Sequence, residues 1–190
     1  MIVSDDFNRT AETPLQAPWV TCFGAGGCHS NGAEAVGTNT VLRTSFYDGE
    51  FGNNQFAEGI VGALLSGSRY ANVYVRMSNA KGGHGYEAFT DGVSGSSHTG
   101  IGRYDAGVFL QILAINTAFS NGDRMRIQAI GNTITVMKNG EVIGSISDST
   151  YGAGYPGVGA FGVATVDDWT GGDIEHGVKG RRMIGWKYSR

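Results

Sequence analysis

The sequence predicts an all-β chain folded as one antiparallel β-sandwich, and three observations lead to this prediction. No long stretch has the 3.6-residue apolar periodicity of an amphipathic helix, whereas several short runs alternate apolar and polar residues. Glycine is frequent, at 32 of 190 residues, as expected for many tight turns between short strands. Residues 121–162 contain three alternating runs separated by two hairpin signals. A chain of this length fits a single sandwich domain.

The clearest predicted strands form a three-stranded antiparallel meander. Residues 124–129 alternate, with Met125, Ile127 and Ala129 on one face and Arg124, Arg126 and Gln128 on the other, which is typical of a half-buried strand. Gly131-Asn132 suits a type II′ turn into the second run, in which Ile134 and Val136 face inward and Thr133 and Thr135 face outward. Asn139-Gly140 then predicts a hairpin, because a type I′ turn needs positive φ at both central residues. A third run then carries Val142 and Ile146.

Shorter runs predict the remaining strands. Residues 108–115 are apolar on both faces except at Gln111, which predicts a central strand buried on both sides. The other predicted strands are residues 2–9, 19–23, 33–36, 40–47, 55–64, 70–77, 84–89, 101–104 and 158–166.

The meander and both chain ends carry a family resemblance. The motifs that carry it are Asp5-Asp6-Phe7-Asn8-Arg9, Gly122-Asp123, Gly131-Asn132-Thr133-Ile134-Thr135-Val136, Asn139-Gly140, Asp148-Ser149-Thr150, Pro156-Gly157 and the run from Asp167 to Asp173. Their order resembles the laminin-G-like jelly-roll branch of the concanavalin A-like lectin/glucanase superfamily, over residues 3–173. The resemblance implies a jelly roll whose first and last strands pair. It is weakly specific for function, because the fold hosts lectins, hydrolases, lyases and structural modules.

The run from Tyr70 to Met77 gives the candidate binding face, since this fold commonly holds sugar on the outer face of one sheet. Alternate residues of the run form an apolar face and an aromatic, polar face. Tyrosine rings can stack on a sugar ring while Asn and Arg bond its hydroxyls. The alternative is a solvent face whose tyrosines are covered by a neighbouring loop. The predicted glycan-binding residues are Tyr70, Asn72, Tyr74, Arg76, His84, Tyr86 and Arg103.

The signatures of catalysis are missing from the sequence. Hydrolases of this superfamily carry Glu-x-Asp-x-Glu on one strand, which places two carboxyl groups about 5 Å apart, and no such triplet occurs here. The Gln-x-His signature of jelly-roll lyases is also absent, since Ile112 and Leu113 follow Gln111. The four histidines are scattered and show no metal-ligand spacing. The sequence therefore predicts a protein that is not an enzyme, and the alternative is a lyase that uses Tyr, His and Arg.

Asp6 and Asp168 are the candidate metal ligands. If the end strands pair as the resemblance implies, these carboxylates and nearby carbonyls form a structural Ca²⁺ site. The alternative, which the sequence favours, is that they cap turns or pair with basic groups such as Arg9. No other cofactor is expected. Cys22 and Cys28 are close enough in sequence for a short disulfide loop, but a cytoplasmic origin favours thiols, which we expect.

A basic, apolar extension is predicted at residues 175–190, after the sandwich domain at residues 1–174. Its last twelve residues contain five Lys or Arg and no acidic residue. Because arginine and aromatic residues anchor protein interfaces, we expect an intermolecular contact here. The residues expected to make it are Arg181, Arg182, Trp186 and Tyr188.

Charge and targeting signals narrow the function. A net charge of −3 and a pI of about 5.7 argue against nucleic acid as a partner. No signal peptide follows Met1, and no apolar run could span a bilayer. We predict a non-catalytic lectin-like module on the surface of a phage virion, made in the host cytoplasm. Its partners are other virion proteins, further copies of itself, or a cell-surface polysaccharide. The alternative is a secreted carbohydrate-active enzyme or its carbohydrate-binding module.

Overall fold

The computed structural model describes residues 1–24, 26–37, 42–64, 69–78, 83–95 and 97–174. Within these ranges the regular structure consists of fifteen β-strands. The described residues include no helix long and apolar enough to cross a membrane. The strands are β1 (Ile2–Asp5), β2 (Trp19–Gly24), β3 (His29–Ser30), β4 (Ala35–Val36), β5 (Leu42–Tyr47), β6 (Gln55–Val61), β7 (Ala71–Ser78), β8 (His84–Thr90), β9 (Thr99–Asp105), β10 (Val108–Ala114), β11 (Arg124–Ile130), β12 (Thr133–Lys138), β13 (Glu141–Ser147), β14 (Tyr155–Phe161) and β15 (Thr165–Asp173).

These strands form two antiparallel sheets. Sheet A has the order β13-β12-β11-β6-β15-β4-β3, with β1 also paired to β15, and sheet B has the order β10-β9-β8-β7-β14-β5-β2. The main core lies between the sheets, because its buried residues come from both of them. The predicted antiparallel sandwich is therefore confirmed. The pairing of Asp5 with Trp169 also confirms that the first and last strands are neighbours.

The meander is confirmed in detail. Ile127, Ile134 and Val136 are fully buried, and β11, β12 and β13 pair in sequence order. Asn139 and Gly140 have φ of 51° and 87°, the left-handed values that the hairpin signal predicted.

Residues 158–166, predicted as one strand, belong to two strands in different sheets. β14 ends at Phe161 in sheet B, and β15 begins at Thr165 in sheet A. The chain turns between them at Gly162, whose φ of 70° is readily adopted only without a side chain. A continuous apolar, glycine-rich run does not reveal where a strand changes sheets, so this prediction was wrong.

Residues 108–115 were predicted as a central strand, and this was also wrong. β10 is an edge of sheet B and pairs with β9 alone. Val108 is 67% exposed and Leu110 is 48% exposed. Apolar content on both faces therefore did not distinguish a buried strand from an apolar edge.

Both cysteines are thiols, as predicted, and are not joined by a disulfide. Cys28 is fully buried in the main core, and its backbone N–H bonds Ser45 Oγ at 3.0 Å. Burial raises the pKa of the Cys28 thiol to about 12. This thiol therefore packs as a small apolar residue.

Candidate functional site

The outer face of sheet B contains a cavity of about 370 Å³. It lies on the side of the sheet that faces away from the main core. Most of its wall is apolar. The aromatic residues that line it are Tyr70, Phe89, Tyr104, Phe109 and Phe161. The polar residues that line it are Asn72, Glu87, Ser97 and Gln111.

A glycine on β9 makes room for this cavity. Gly102 pairs with Glu87 on one side and with Gln111 on the other. A Cβ at Gly102 would clash with Phe109 Cε2 and lie 2.8 Å from Glu87 Oε1. The Phe109 ring and the Glu87 carboxyl group therefore lie next to each other, over a position where any larger residue would displace them.

Glu87 is the one carboxyl group among the described residues that line this cavity. Its residue is 2% exposed, and Asn72 Nδ2 donates a hydrogen bond to Glu87 Oε2 at 2.9 Å. Burial raises the pKa of Glu87 to about 7, although the neighbouring Tyr74 hydroxyl and Asn72 amide lower it. The carboxyl group therefore gains and loses its proton near neutral pH.

Asn72 leaves an unused acceptor at the same place. It is 2% exposed and lines the cavity. Its amide nitrogen is bound to Glu87, whereas its Oδ1 has no hydrogen-bond partner among the described residues. Buried polar atoms are usually paired, so this oxygen is available to accept a hydrogen bond from a donor on a ligand.

The structure brings two of the predicted glycan residues, Tyr70 and Asn72, to the cavity. The prediction that Tyr74 is exposed was wrong. Tyr74 is fully buried in a small cluster with Phe46, Met77 and Tyr104. The alternative reading of a covered tyrosine thus describes Tyr74, while Tyr70 and Asn72 stay predicted ligands.

The prediction of an exposed Arg76 was also wrong, because the alternation of β7 breaks at this residue. Arg76 has φ of 55°, and the pairing of β7 with β8 shifts register between Val75 and Ser78. The residue is 2% exposed, and its guanidinium donates to three backbone carbonyls. Nη2 donates to Asn53 O at 2.9 Å and to Gly131 O at 2.6 Å, Nη1 donates to Tyr151 O at 2.8 Å, and Nε donates to Asn53 O at 3.1 Å.

The structure does not bring the other three predicted residues, Tyr86, Arg103 and His84, to the cavity. They instead belong to a second group of contacts, with Asp148 and Tyr151. Tyr86 is fully buried in the main core. Arg103 Nη1 donates to Asp148 Oδ2 at 2.7 Å. The His84 ring stacks on the Tyr151 ring, with 4.3 Å between the ring centroids. The predicted roles of these three residues assumed that the Tyr86 face of β8 is the outer face, whereas it is the inner face.

Asp148 holds this second group together. It accepts hydrogen bonds from the Tyr86 hydroxyl at 2.7 Å and from the Thr150 backbone N–H at 2.8 Å, in addition to the bond from Arg103. Burial alone would raise the pKa of Asp148, but these hydrogen bonds outweigh it and lower the pKa to about 2. The group therefore stabilises the fold.

Sequence reasoning missed the residues that line the cavity on β8, β9 and β10. The pattern of β8 contained a usable signal, because Ala88 shares a face with Tyr86 and small apolar residues favour a core. That signal would have assigned the opposite face to the site. The missed residues are Glu87, Phe89, Tyr104, Phe109 and Gln111.

The two predicted metal ligands lie in a separate polar cavity. Asp6 and Asp168 both line it, near the paired ends of β1 and β15. Asp5 beside them is bound to Arg9 Nη1 at 2.7 Å and to Trp19 Nε1 at 2.6 Å. Across the described ranges, no group of three or more His, Cys, Asp or Glu could hold a metal ion. The Ca²⁺ site stays a prediction from the sequence.

The predicted assembly contact lies outside the described residues. This applies to Arg181, Arg182, Trp186 and Tyr188 and to the whole extension. The intermolecular contact stays a prediction.

Comparison with solved structures shows that other proteins share this fold. No protein-family profile and no curated protein sequence matches this chain. The carbohydrate-binding module CBM66 from Bacillus subtilis superposes with a TM-score of 0.64 at 16% identity, over 85% of this chain and 99% of that one. The fold is an antiparallel jelly roll.

Two further structures have the same architecture. The Emp47p carbohydrate recognition domain has a TM-score of 0.59 at 12% identity, over 90% of this chain and 95% of that one. A structure from work on endo-acting O-glycanases of the human gut microbiota has a TM-score of 0.60 at 11% identity, over 91% of this chain and 99% of that one. These similarities confirm the jelly roll, and the laminin-G-like branch stays a prediction.

Proposed function

We propose that this chain is a non-catalytic glycan-binding module whose ligand occupies the cavity on sheet B. The observation that carries the proposal is the combination of aromatic walls with the buried Glu87–Asn72 pair. Aromatic rings pack on the apolar face of a sugar, and a few fixed polar groups orient its hydroxyls. The jelly-roll fold that the chain shares with carbohydrate-binding domains supports the same proposal.

The arrangement of carboxyl groups favours binding over hydrolysis. Glycoside hydrolases of the common types use two carboxyl groups across the scissile bond. Among the described residues that line the cavity, Glu87 is the sole carboxyl group. This supports a module that holds its ligand unchanged. The virion location predicted from the sequence stays a prediction, because the solved structures and the described residues do not bear on it.

The edge strand β10 offers a matched pair of variants to test the proposal. Phe109 lines the cavity and is 44% exposed, and its neighbour Leu110 is 48% exposed without lining it. Phe109→Ala should weaken glycan binding roughly fivefold to tenfold, from the loss of an aromatic contact. Leu110→Ala should leave binding unchanged, because adjacent strand residues point to opposite faces.

A glycan array followed by calorimetry on the best ligand measures both variants. Equal affinities for the wild type and Phe109→Ala would place the ligand elsewhere and refute the proposed site. The absence of any bound glycan on a broad array would refute the proposed function.

A further inference from the structure

Glu87 has no cationic partner in the part of the chain that the structure describes. None of the described residues that line the cavity is Lys, Arg or His. The ionisable groups that face Glu87 are Tyr70, which directly precedes β7, Tyr74 from β7 and Tyr104 from β9. Burial is the largest cause that raises the pKa of each phenol, and the Glu87 charge raises it further. All three stay neutral near pH 7, so none offsets a carboxylate.

The unmet hydrogen-bonding capacity of the cavity is on the acceptor side. An ionised Glu87 only accepts hydrogen bonds. Asn72 Oδ1 is an acceptor, and no donor among the described residues bonds to it. Two neighbouring acceptors favour a ligand group with several donors and no acceptor. A protonated amine has three N–H donors and no acceptor, whereas a hydroxyl has one donor.

The walls of the cavity favour the same ligand group. The Phe109 ring and Glu87 Oε1 lie next to each other over Gly102. Aromatic faces attract cations, and the attraction grows when water is excluded. A cation at this point would contact a carboxylate and an aromatic ring together.

Building on the proposed function, we infer that the cavity binds an amino sugar through its free, protonated amine, with the ammonium group against the Glu87 carboxylate and beside the Phe109 ring. When the ammonium group binds, Glu87 releases its proton, and the positive charge of the ligand then compensates the carboxylate. The sugar ring packs on the aromatic wall, and Asn72 Oδ1 accepts one of the remaining N–H donors. An N-acetylated sugar lacks the charge, and a neutral hexose lacks both the charge and the three donors.

The test compares sugars that differ only at C2. The probes are the methyl glycosides of glucosamine, N-acetylglucosamine and glucose, and the three matching galactose compounds. Amide NMR spectra of the full chain, recorded during titration, report the affinity and location of each ligand. The amines should bind roughly tenfold to a hundredfold more tightly than their neutral counterparts, as expected for hydrogen bonds to charged groups.

Two variants separate a specific contact from attraction to an acidic protein. Glu87→Gln keeps the shape and removes the charge, so the preference for the amine should disappear. Glu141→Gln removes the same charge from an exposed position at the start of β13 and should behave as the wild type.

A second measurement needs no variant. At pH 6, one unit below the pKa of Glu87, about nine tenths of this carboxyl group is protonated. The sugar amine is itself protonated at this pH. Binding should therefore release most of one proton per amino sugar, measured by calorimetry in two buffers of different ionisation enthalpy. Neutral sugars should release none.

The outcomes distinguish this inference from the proposed function. Stronger binding of the neutral sugars, with shifts at Tyr70 and Phe109, overturns the amino-sugar inference and retains glycan binding in the cavity. Amine binding that persists in Glu87→Gln, or that releases no proton, also overturns the inference. If none of the six sugars shifts the cavity residues, both the inference and the proposed site are wrong.

Discussion

Replacing Glu87 by glutamine should change how the stability of the fold depends on pH. Burial places the pKa of Glu87 at about 7, against an ordinary value of 4.5. The folded state therefore binds the proton more tightly than the unfolded state, so the wild type loses stability as the pH rises from about 4.5 to 7. At about 1.4 kcal/mol per unit, the loss is about 3 kcal/mol. A glutamine side chain cannot ionise, so the variant should escape this loss.

Urea unfolding at pH 5, 6, 7 and 8 measures this effect. Trp19 and Trp169 are buried in the main core at 4% and 0% exposure, so their fluorescence should report the loss of tertiary packing. The free energy of unfolding of Glu87→Gln minus that of the wild type should rise by roughly 2–3 kcal/mol between pH 5 and pH 8. Taking the difference cancels groups that titrate in both proteins. Glu141→Gln is the control, and its difference should stay flat.

Parallel stability curves for the wild type and Glu87→Gln would refute this reasoning. They would mean that Glu87 titrates at the same pH in the folded and unfolded states. The cavity would then hold no uncompensated carboxyl group, and the electrostatic argument for its ligand would fail.

Three further predictions follow from single contacts. Gly102→Ala should abolish ligand binding while the fold is kept, because its Cβ would displace Phe109 and Glu87, and Gly152→Ala, with no atom within 4 Å, should leave affinity unchanged. Arg76→Met should cost about 3 kcal/mol or more in urea unfolding, since it strips three carbonyls of their donor, whereas Arg124→Met at the surface should cost less than about 1 kcal/mol. Asp148→Asn should cost about 2 kcal/mol at pH 7, because a pKa lowered to about 2 stabilises the fold above the ordinary value of 3.8. That cost should fall as the pH falls from 3.8 through about 2, which acid unfolding curves would show.

Local sequence signals predicted much of the fold. Alternation located the strands of the meander, and Asn139-Gly140 located its second turn, because hairpin pairing is decided by residues close in sequence. The order of strands within a sheet depends on long-range pairing. For that reason the edge position of β10 and the change of sheet after Phe161 could not be derived from local pattern.

The site was predicted less well, for a related reason. Period-2 alternation divides a strand into two faces but does not say which face is outward when both are apolar or aromatic. On β7 the outer face was assigned correctly for Asn72. The assignment failed at Arg76, where the irregular backbone breaks the alternation of the two faces. For β8 the Tyr86 face was chosen, although Glu87 lies on the outer face. The pairing of Glu87 with Gly102, which opens the cavity, is invisible without the sheet register.

A crystal structure of the full chain with its best-binding glycan tests the central claim most directly. The account predicts a sugar ring in the cavity on sheet B, in contact with Phe109 and within hydrogen-bonding distance of Glu87 or Asn72. A glycan bound at the loops or on sheet A, with this cavity empty, would contradict it.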